Sequence, residues 1–259
     1  MAFALVTGGT AGIGAEFARQ LAAAGNDLVL VARSEERLER MADELRAAGR
    51  RVEILPADLA VRADVDRVAA RLRSEVDPVD ILINNAGFGI HSKLVGGDVA
   101  VLDEAFEVML RAVAVLAGAA AESMRARGRG RILNVSSTAG FVTMGAYSAI
   151  KAWVTNYTES LANELRGTGV TVTALCPGWV HTEFHDRAGI RKSSIPDPLW
   201  LDAEPLVRSA LRDLDRGRVI SIPSVRYKVL IWFARHLPRG AVRSISRAIS
   251  SSRRDTVSP

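Results

Sequence analysis

The sequence is short of cysteine, of aromatic residues and of long apolar runs. It has 259 residues and a single cysteine, Cys176, so an intramolecular disulfide is excluded. Its longest apolar stretches, near residues 112–121 and 229–234, fall well below the roughly 20 residues that a membrane-spanning helix needs. No secretory signal pattern is visible at the N-terminus, and we expect a reducing, cytoplasmic setting. A disulfide-stabilised scaffold and a spanning protein are not predicted.

Acidic residues are missing from one region near the C-terminus. The net charge is +5, from 34 Lys and Arg against 29 Asp and Glu, yet residues 216–254 contain ten Lys or Arg and no acid. Without those ten charges the rest of the chain carries −5, so the basic surplus is local. A basic, aromatic-rich surface of the kind that binds nucleic acid is therefore not indicated, and we expect no nucleic-acid partner.

Apolar runs of strand length alternate with helical patterns as far as about residue 222. Such alternation produces right-handed crossovers and a parallel sheet with helices on both faces, so the predicted fold class is α/β. Ser34 and Asp202 are predicted to cap the helices that follow them. The predicted strands are 2–6, 27–32, 52–55, 80–83, 132–135, 170–175 and 219–222, and the predicted helices include 64–76, 103–127, 147–166 and 225–237.

A glycine-rich turn lies between the first strand and the first helix. Gly8, Gly12 and Gly14 allow backbone N–H groups and the positive helix end to approach a phosphate, although glycines also serve ordinary turns. The second strand ends at Ala32 and Arg33, where NAD-binding sites carry an acid for the ribose hydroxyls. With no carboxylate to repel a 2′-phosphate and a guanidinium to bind it, NADP(H) is favoured over NAD(H), unless Arg33 is only a solvated charge.

Three side chains indicate proton-transfer chemistry. Tyr147 and Lys151 are four residues apart at the start of a predicted helix, so they share one face. A neighbouring ammonium stabilises a phenolate, and we expect Lys151 to move the Tyr147 pKa toward neutrality. Ser137 precedes Tyr147 by ten residues at the end of a predicted strand, where its hydroxyl would hold a carbonyl oxygen while Tyr147 donates a proton. The neighbouring Ser136 is predicted to point the other way.

A series of motifs runs along the chain. They are Thr7-Gly8-Gly9-Thr10-Ala11-Gly12-Ile13-Gly14, Asn84-Asn85-Ala86-Gly87, Ser137, Tyr147-Ser148-Ala149-Ile150-Lys151 and Pro177-Gly178-Trp179-Val180-His181-Thr182. In this order and spacing they resemble the short-chain dehydrogenase/reductase family, single-domain branch, and the resemblance covers residues 1–222. It implies a Rossmann-type doubly wound parallel sheet of about seven strands, followed here by a helical C-terminal extension. It also implies hydride transfer between a nicotinamide and a carbonyl or alcohol carbon.

The same resemblance implies roles for individual residues. Tyr147 would be the acid and base, Ser137 the substrate anchor and Lys151 the holder of the nicotinamide ribose. Asp58 would meet the adenine and Thr182 the nicotinamide carboxamide. The residues expected to bind the cofactor are Gly8, Thr10, Gly12, Ile13, Gly14, Arg33, Asp58, Asn85, Ala86, Gly87, Tyr147, Lys151, Pro177, Gly178, Val180 and Thr182.

One position departs from the family pattern. The catalytic asparagine of the family's long helix falls on Met109 in this sequence. A methionine sulfur is only a weak acceptor and cannot fix a water as an amide does. We therefore expect the proton relay from solvent through Lys151 to be weakened or differently arranged, while the Tyr147 step is retained.

The region after the sixth strand suggests a substrate lid. Residues 183–201 are irregular in pattern and mix apolar and basic side chains past a strand end. An apolar pocket for a lipophilic substrate is expected, with core closure as the alternative. His181 and His185 are four apart, but no third ligand is near them, so no metal site is predicted. The pocket residues are Phe141, Trp179, Phe184 and Trp200.

The C-terminal region is predicted to be distinct from the catalytic body. We expect an NADP(H)-binding catalytic domain at 1–222 and a basic amphipathic extension at 223–259. Arginines recur every four residues in a second predicted helix, 239–250, opposite an apolar face. This extension would either dock peripherally on an anionic membrane surface or pack on the body or a partner subunit. A homodimer or homotetramer formed through the helices at 103–127 and 147–166 is implied by the resemblance.

The predicted function is that of an NADP(H)-dependent oxidoreductase. It would interconvert a ketone and a secondary alcohol on a lipophilic substrate of acyl, steroid or terpenoid kind. Two alternatives remain open. One is a non-catalytic NADP(H)-binding sensor or scaffold, suggested by Met109 and the basic tail. The other is an epimerase or dehydratase of the family's extended branch, whose glycine spacing and longer C-terminal domain are not found here.

Overall fold

The computed structural model describes residues 2–90, 92, 94–182, 197–238, 240–244 and 246. Short turns link regular elements through most of this part of the chain. The strands are β1 (Phe3–Thr7), β2 (Asp27–Ala32), β3 (Val52–Pro56), β4 (Val79–Asn84), β5 (Gly130–Val135), β6 (Val170–Leu175), β7 (Trp179–Val180), β8 (Trp200–Leu201) and β9 (Ile220–Ser221). The helices are α1 (Gly12–Ala23), α2 (Glu35–Ala47), α3 (Arg62–Arg73), α4 (Val99–Phe106), α5 (Ala112–Ala126), α6 (Ala146–Glu164), α7 (Ala203–Asp215) and α8 (Val225–His236).

Seven of the strands form one parallel sheet. Their order is β3-β2-β1-β4-β5-β6-β9, and every neighbouring pair is parallel. The chain builds outward from β1 to β3 and then crosses to β4 on the other side of β1. At this switch point the loops after β1 and β4 diverge and leave a crevice at the carboxyl ends of the strands. The predicted doubly wound parallel sheet is confirmed.

Two apolar layers cover the sheet. One layer joins sheet residues to α3, α5 and α6, and the other joins them to α1, α2 and α7. All five residues of β1 are buried, as expected for a strand with helices on both of its faces. This packing fixes the carboxyl ends of the central strands, and therefore any site built there.

The prediction of one continuous helix at 103–127 is wrong. The structure has α4, a π-helical turn at Glu107–Arg111 and then α5. The wider turn contains Val108 and Met109, both buried. A local widening of this kind does not change the apolar composition, so periodicity alone does not reveal it.

The two predicted caps differ in outcome. The Ser34 side chain accepts a hydrogen bond from the Arg37 N–H at 3.3 Å, so this cap is confirmed. Helix α7 does begin after Asp202, but the Asp202 side chain makes no capping hydrogen bond, and that part of the prediction is wrong. The Asp202 carbonyl accepts the Leu206 N–H at 3.4 Å, so the backbone of Asp202, and not its carboxylate, takes part in the first turn of the helix.

The C-terminal part of the described chain is helical. Residues 240–244 follow α8 as a helical segment, and Val242 and Ser246 are buried. The rest of the second amphipathic helix predicted at 239–250 lies largely outside the described residues. Within the described chain, every helix is too short or too polar to cross a membrane.

Candidate active site

The glycine-rich turn after β1 depends on backbone shape. Gly8 and Gly12 have positive φ angles of 65° and 54°, which side-chain-bearing residues rarely adopt. The Gly8 N–H donates to the Val31 carbonyl at 2.8 Å, which ties the turn to β2. A Cβ at Gly14 would overlap the Gly8 carbonyl and the Asn85 amide. The turn can therefore hold α1 this close only with glycine at position 14.

Asn85 fixes this turn from the β4 side. Its Nδ2 donates to the carbonyl oxygens of Thr7 and Gly8, at 3.0 Å and 3.3 Å. The Thr7 hydroxyl accepts from the N–H groups of Asn85 and Ala86, at 2.9 Å and 3.0 Å. These bonds join the carboxyl ends of β1 and β4 across the switch point. The predicted cofactor residues of both loops are thus held together by a network that contains Thr7.

The start of α1 fits a dinucleotide phosphate. Helix α1 has no side-chain cap and no acid in its first turn, so its first N–H groups suit an anion. Thr10 and Ile13 lie within this turn and first helical residues, and Gly12 packs against Thr182. A Cβ at Gly12 would lie 3.2 Å from the Thr182 Cβ. The backbone cradle and the predicted carboxamide contact are therefore neighbours.

Arg33 and Asp58 lie at the ends of β2 and β3. The Arg33 side chain is 71% exposed, and its Nη1 is 3.8 Å from Glu104 Oε1, a weak surface ion pair. The Asp58 carboxylate accepts the Ala60 N–H at 3.0 Å. Both residues flank the same edge of the sheet as the glycine-rich turn. A cation rather than a carboxylate therefore follows β2, as the sequence predicted.

Ser137 and Tyr147 are brought together by β5 and α6. Ser137 follows β5 and accepts the Ala139 N–H at 3.1 Å, which orients its hydroxyl. The side chains of Ser137 and Tyr147 hydrogen-bond each other. The spacing of ten residues is closed by a 3-10 turn, Thr138–Phe141, and by Gly145, whose φ is 88°. The predicted hydroxyl pair is thus present in the folded chain.

Lys151 lies one turn further along α6 and is buried. Its Nζ donates to the Val135 carbonyl at 2.9 Å and lies 5.6 Å from the centroid of the Tyr147 ring. Ser136 points away from Ser137, as predicted, and its hydroxyl donates to the Lys151 carbonyl at 2.7 Å. The Val135 carbonyl therefore holds the ammonium beside the tyrosine, and Ser136 anchors the Lys151 backbone.

The acidities of this pair differ from the prediction. Burial raises the pKa of Tyr147 to about 12, and the Ser137 hydrogen bond offsets only part of that effect. Burial also lowers the pKa of Lys151 to about 8. The expectation that the Tyr147 pKa moves toward neutrality is wrong for this structure, because burial of the phenol raises that pKa more than its polar neighbours lower it. At neutral pH Tyr147 is a protonated donor beside a cation.

A buried polar network holds α6 in register with the sheet. Asn84 Nδ2 donates to Asn134 Oδ1 at 2.9 Å, and Asn134 Nδ2 donates to the Thr158 hydroxyl at 3.0 Å. The network runs from β4 through β5 to the helix that carries Tyr147 and Lys151. The sequence pattern contains Asn84 only as part of a motif and assigns no role to Asn134 or Thr158, because their contacts depend on which strands are neighbours.

Met109 lies fully buried next to this group. A Cβ on Gly87 would be 3.1 Å from the Met109 sulfur and 3.8 Å from Lys151 Nζ. The π-helical turn thus directs a thioether to the space between Gly87 and Lys151. The residue that departs from the family pattern is the one that reaches the predicted relay position.

Two of the residues predicted to line a substrate pocket lie in the segment after β6. Strands β7 and β8 pair, which brings Trp179 opposite Trp200 with ring centroids 6.3 Å apart. His181 stacks on Trp200 at 4.7 Å. Phe141 lies in the 3-10 turn after Ser137, with the Arg235 guanidinium 5.3 Å from its ring centroid. Phe184, His185 and most of the lid at 183–201 lie outside the described residues.

Tyr227 holds this loop and had no recognisable signal in the sequence. Its hydroxyl accepts the Trp179 N–H at 3.0 Å and donates to the Leu199 carbonyl at 2.8 Å. A Cβ at Gly178 would overlap the Tyr227 ring. The predicted cofactor residues Pro177, Gly178 and Val180 are therefore positioned by a side chain from α8.

Comparisons with known proteins agree with this geometry. A family model described as short chain dehydrogenase matches residues 2–192. A putative ketoacyl reductase of the granaticin polyketide synthase of Streptomyces violaceoruber is 41% identical over 197 residues, which cover 71% of this chain and 70% of that protein. For two other curated relatives, the chain spans 60% and 62% of their length.

Solved structures show the same fold with a nucleotide present. A short-chain dehydrogenase from Sphingobium yanoikuyae in complex with NADPH is 36% identical, with a TM-score of 0.83, over 89% of this chain and 92% of that one. A family member from Burkholderia phymatum in complex with NAD is 27% identical, with a TM-score of 0.79, over 90% and 92%. Both nicotinamide cofactors are thus represented among similar structures.

Proposed function

The chain belongs to the short-chain dehydrogenase/reductase family, and on that premise we propose that it is an NADP(H)-dependent oxidoreductase that interconverts a ketone and a secondary alcohol. The observation that carries the proposal is the group formed by Ser137, Tyr147 and Lys151. Two hydroxyls in mutual contact stand beside a buried ammonium, at the carboxyl edge of the sheet where the glycine-rich turn also opens. This arrangement suits proton transfer to a carbonyl oxygen.

In carbonyl reduction each of the three side chains would have a separate role. The Ser137 hydroxyl would bind the substrate carbonyl oxygen, and the Tyr147 hydroxyl would donate its proton to that oxygen. Because its pKa is about 12, Tyr147 holds this proton at neutral pH. The Lys151 ammonium favours the negative charge that develops on the oxygen and on the phenolate left behind. Alcohol oxidation uses the same groups in reverse and requires the phenolate.

The cofactor would lie across the switch point. Gly8, Gly12 and Gly14 would hold its pyrophosphate at the start of α1, while Thr182 and Lys151 would contact the nicotinamide half. When bound, the nicotinamide supplies or accepts the hydride. Arg33 supports NADP(H) over NAD(H), because a guanidinium at the end of β2 can pair with a 2′-phosphate. The NADPH held by the Sphingobium relative is consistent with that preference.

For the substrate we propose a lipophilic ketone or alcohol, with acyl compounds as the first class to examine. Two half-buried indoles, Trp179 and Trp200, lie together after β6. The ring of Phe141 lies in the 3-10 turn that follows Ser137. Aromatic side chains in this position suit an apolar substrate. The name of the Streptomyces relative, a putative ketoacyl reductase, supports the acyl class.

A second candidate function rests on Met109. A buried thioether beside Lys151 provides no amide to hold a relay water, which would suit a non-catalytic NADP(H)-binding sensor. Against this alternative, the chain keeps Ser137, Tyr147 and Lys151 in contact geometry. A sensor that only binds the nucleotide has no need of a buried proton donor.

For assembly we propose a homodimer or homotetramer that forms through the long helices. Phe106 on α4 and Trp153 on α6 are 44% and 37% exposed, and Trp153 stacks on Tyr157 at 4.9 Å. Apolar side chains exposed on these two helices suit burial against a second copy. Light scattering after size exclusion tests this, and a monomer at working concentrations contradicts it.

The decisive experiment is turnover of a carbonyl and alcohol panel, followed by NADPH absorbance. Tyr147→Phe should lower kcat by about a thousandfold while NADPH still binds, since one general acid contributes on the order of 10²–10⁴. Tyr157→Phe is the matched control, because Tyr157 lies on the same helix and donates to the Ala114 carbonyl away from the site. Turnover that survives Tyr147→Phe, or NADPH binding with no turnover on any substrate, would contradict the proposal.

A further inference from the structure

The outer face of α8 is apolar and uncovered in the described chain. Helix α8 buries Tyr227 and Ile231, which are four residues apart and face the body. On the opposite side Val225, Val229 and Trp232 are 75%, 50% and 56% exposed. Phe233, on the same side, is 52% exposed. One helix thus presents an apolar surface on each of two sides.

The exposed aromatics form an ordered group. The rings of Trp232 and Phe233 meet edge to face at 5.1 Å, and Trp232 stacks on His236 at 4.4 Å. His236 Nδ1 lies 2.7 Å from the Trp232 carbonyl oxygen. Aromatic rings with a polar edge are the side chains that settle at the boundary between lipid and water.

The charged side chains of α8 itself are all basic. Lys228 and Arg226 are exposed, and Arg226 also donates to the Pro198 carbonyl. Arg235, on the same helix, is half exposed and lies 3.9 Å from Glu159 Oε1 of α6. Residues 216–254, which contain the whole helix, carry ten Lys or Arg and no acid. A surface of this kind is complementary to an anionic partner, and each cation near an anionic bilayer contributes about 1 kcal/mol in general.

The same charges argue against a second copy of this chain on the face. A symmetric contact would bring two such segments together, each rich in arginine and without an acid. Like charges held close oppose association. The aromatic group and the cations together are better matched by anionic lipid than by self-association.

We propose that α8 docks the protein on an anionic phospholipid bilayer through Val225, Val229, Trp232 and Phe233. The helix lies along the surface with its apolar face in the headgroup boundary, and Arg226 and Lys228 contact lipid phosphates. The inner face keeps Tyr227 on the loop of Trp179 and Leu199. The docked face and the side chain that holds the loop of Trp179 and Leu199 therefore belong to one helix. This inference adds a partner to the proposed function and does not depend on turnover.

Vesicle flotation of the full chain tests the proposal. Phosphatidylcholine vesicles are compared with vesicles that also contain phosphatidylserine, and we expect binding only to the second kind, weakened by salt. Trp232→Ser combined with Phe233→Ser should lower the bound fraction by about tenfold, because it removes the apolar contact. Val76→Ser is the matched control, because Val76 is an exposed apolar side chain (77%) after α3, outside both α8 and the proposed subunit interface, and should leave flotation unchanged.

A charge variant provides a second arm. Arg226→Glu combined with Lys228→Glu should also lower binding by about tenfold, since both cations are reversed. Arg40→Glu combined with Arg212→Glu is its control, because both arginines are exposed and lie on α2 and α7, outside α8 and the proposed subunit interface. NADPH binding and circular dichroism are recorded for every variant, so a failure of docking is distinguished from a failure of folding or of the proposed function.

Three results would overturn the docking proposal. One is equal recovery of the unmodified protein with neutral and anionic vesicles. Another is unchanged flotation of the Trp232 and Phe233 double variant. The third is an oligomer in solution that the same double variant converts to monomers, which would assign the face to a second copy. Should the double variant not fold, Val229→Ser with Lys228→Glu provides the comparison, because both side chains are exposed.

Discussion

The two halves of the site are built by different means. The half at β1 and β2 is shaped mainly by backbone, namely two glycines with positive φ and a helix start without a side-chain cap. Its one charged side chain after β2, Arg33, is exposed. The half at β5 and α6 is shaped by buried side chains, among which Tyr147 and Lys151 have strongly shifted pKa values. Shape alone is enough to bind a phosphate, whereas proton transfer requires groups whose acidity the fold has changed.

This difference predicts separable effects. Changes in the glycine half should alter cofactor affinity and leave the pH dependence of turnover unchanged. Changes in the buried half should alter rates and pH dependence. Where they leave the Lys151 side chain in place, as at Ser137 or Met109, they should have little effect on NADPH binding. A substitution that changed both the NADPH affinity and the pH dependence of turnover would show that the two halves do not act independently.

The largest effect on cofactor binding is expected from Gly14→Ala. Its methyl group would overlap the Gly8 carbonyl and the Asn85 amide, so the turn must open and the phosphate cradle is lost. NADPH affinity should fall by about a hundredfold, measured by fluorescence titration. Gly118→Ala is the control, because a Cβ at that position in α5 meets no atom within 4 Å. Unchanged affinity in Gly14→Ala would contradict the backbone account of this half.

Arg33→Asp should have the next largest effect, and it should change only the preference between NADPH and NADH. A carboxylate after β2 repels a 2′-phosphate and accepts ribose hydroxyls, so the preference for NADPH over NADH should fall by roughly thirtyfold. Ratios of kcat/KM for the two cofactors measure this, with Arg40→Asp on α2 as the matched surface control. A ratio that does not change would make Arg33 a solvated charge and remove the argument for NADP(H).

The pH dependence of reduction examines the buried half. Because burial lowers the pKa of Lys151 to about 8, its ammonium is present below pH 8 and is lost as pH rises through that value. In the reducing direction kcat/KM should therefore decline above pH 8 by up to about tenfold per pH unit. Lys151→Arg keeps its charge over the whole range, so its lower activity should lack this decline. If kcat/KM declined with the same pH midpoint in the unmodified protein and in Lys151→Arg, the titrating group would not be Lys151.

The smallest effect is expected from Met109→Asn. An amide between Gly87 and Lys151 can hold a relay water, and kcat should rise by about threefold if proton supply limits turnover. Burying the amide should cost on the order of 1–3 kcal/mol of stability, followed by thermal unfolding. Met109→Leu, which keeps the volume without a polar group, is the control. A kcat equal to or below that of the unmodified protein would show that the relay is not limiting.

The fold was largely predictable because its signals are local and repeated. Strands β2 and β6 have the bounds that the apolar runs predicted, and the Ser34 cap is present. The contact of Ser137 with Tyr147 was also predictable, since both residues follow from recognisable motifs. These features depend on a few neighbouring residues and on the ends of parallel strands.

Other features depend on three-dimensional surroundings and were missed. The π-helical turn at Met109, the shifted acidities and the Asn84-to-Thr158 network follow from which elements pack together. The Tyr147 pKa was predicted in the wrong direction, because sequence spacing shows proximity to Lys151 but not burial. Asp202 was assigned a cap that its side chain does not make.

The contact of Tyr227 with Gly178 has a consequence for how the chain can be shortened. A protein cut after residue 222 would retain every recognised motif and still lose the ring that fills the space over Gly178. It would also lose the hydroxyl that joins Trp179 to Leu199. One phenol links a helix at the molecular surface to the loop beside the reaction centre. Removing α8 would therefore leave the loop of Trp179 and Leu199 without the side chain that hydrogen-bonds to both of these residues.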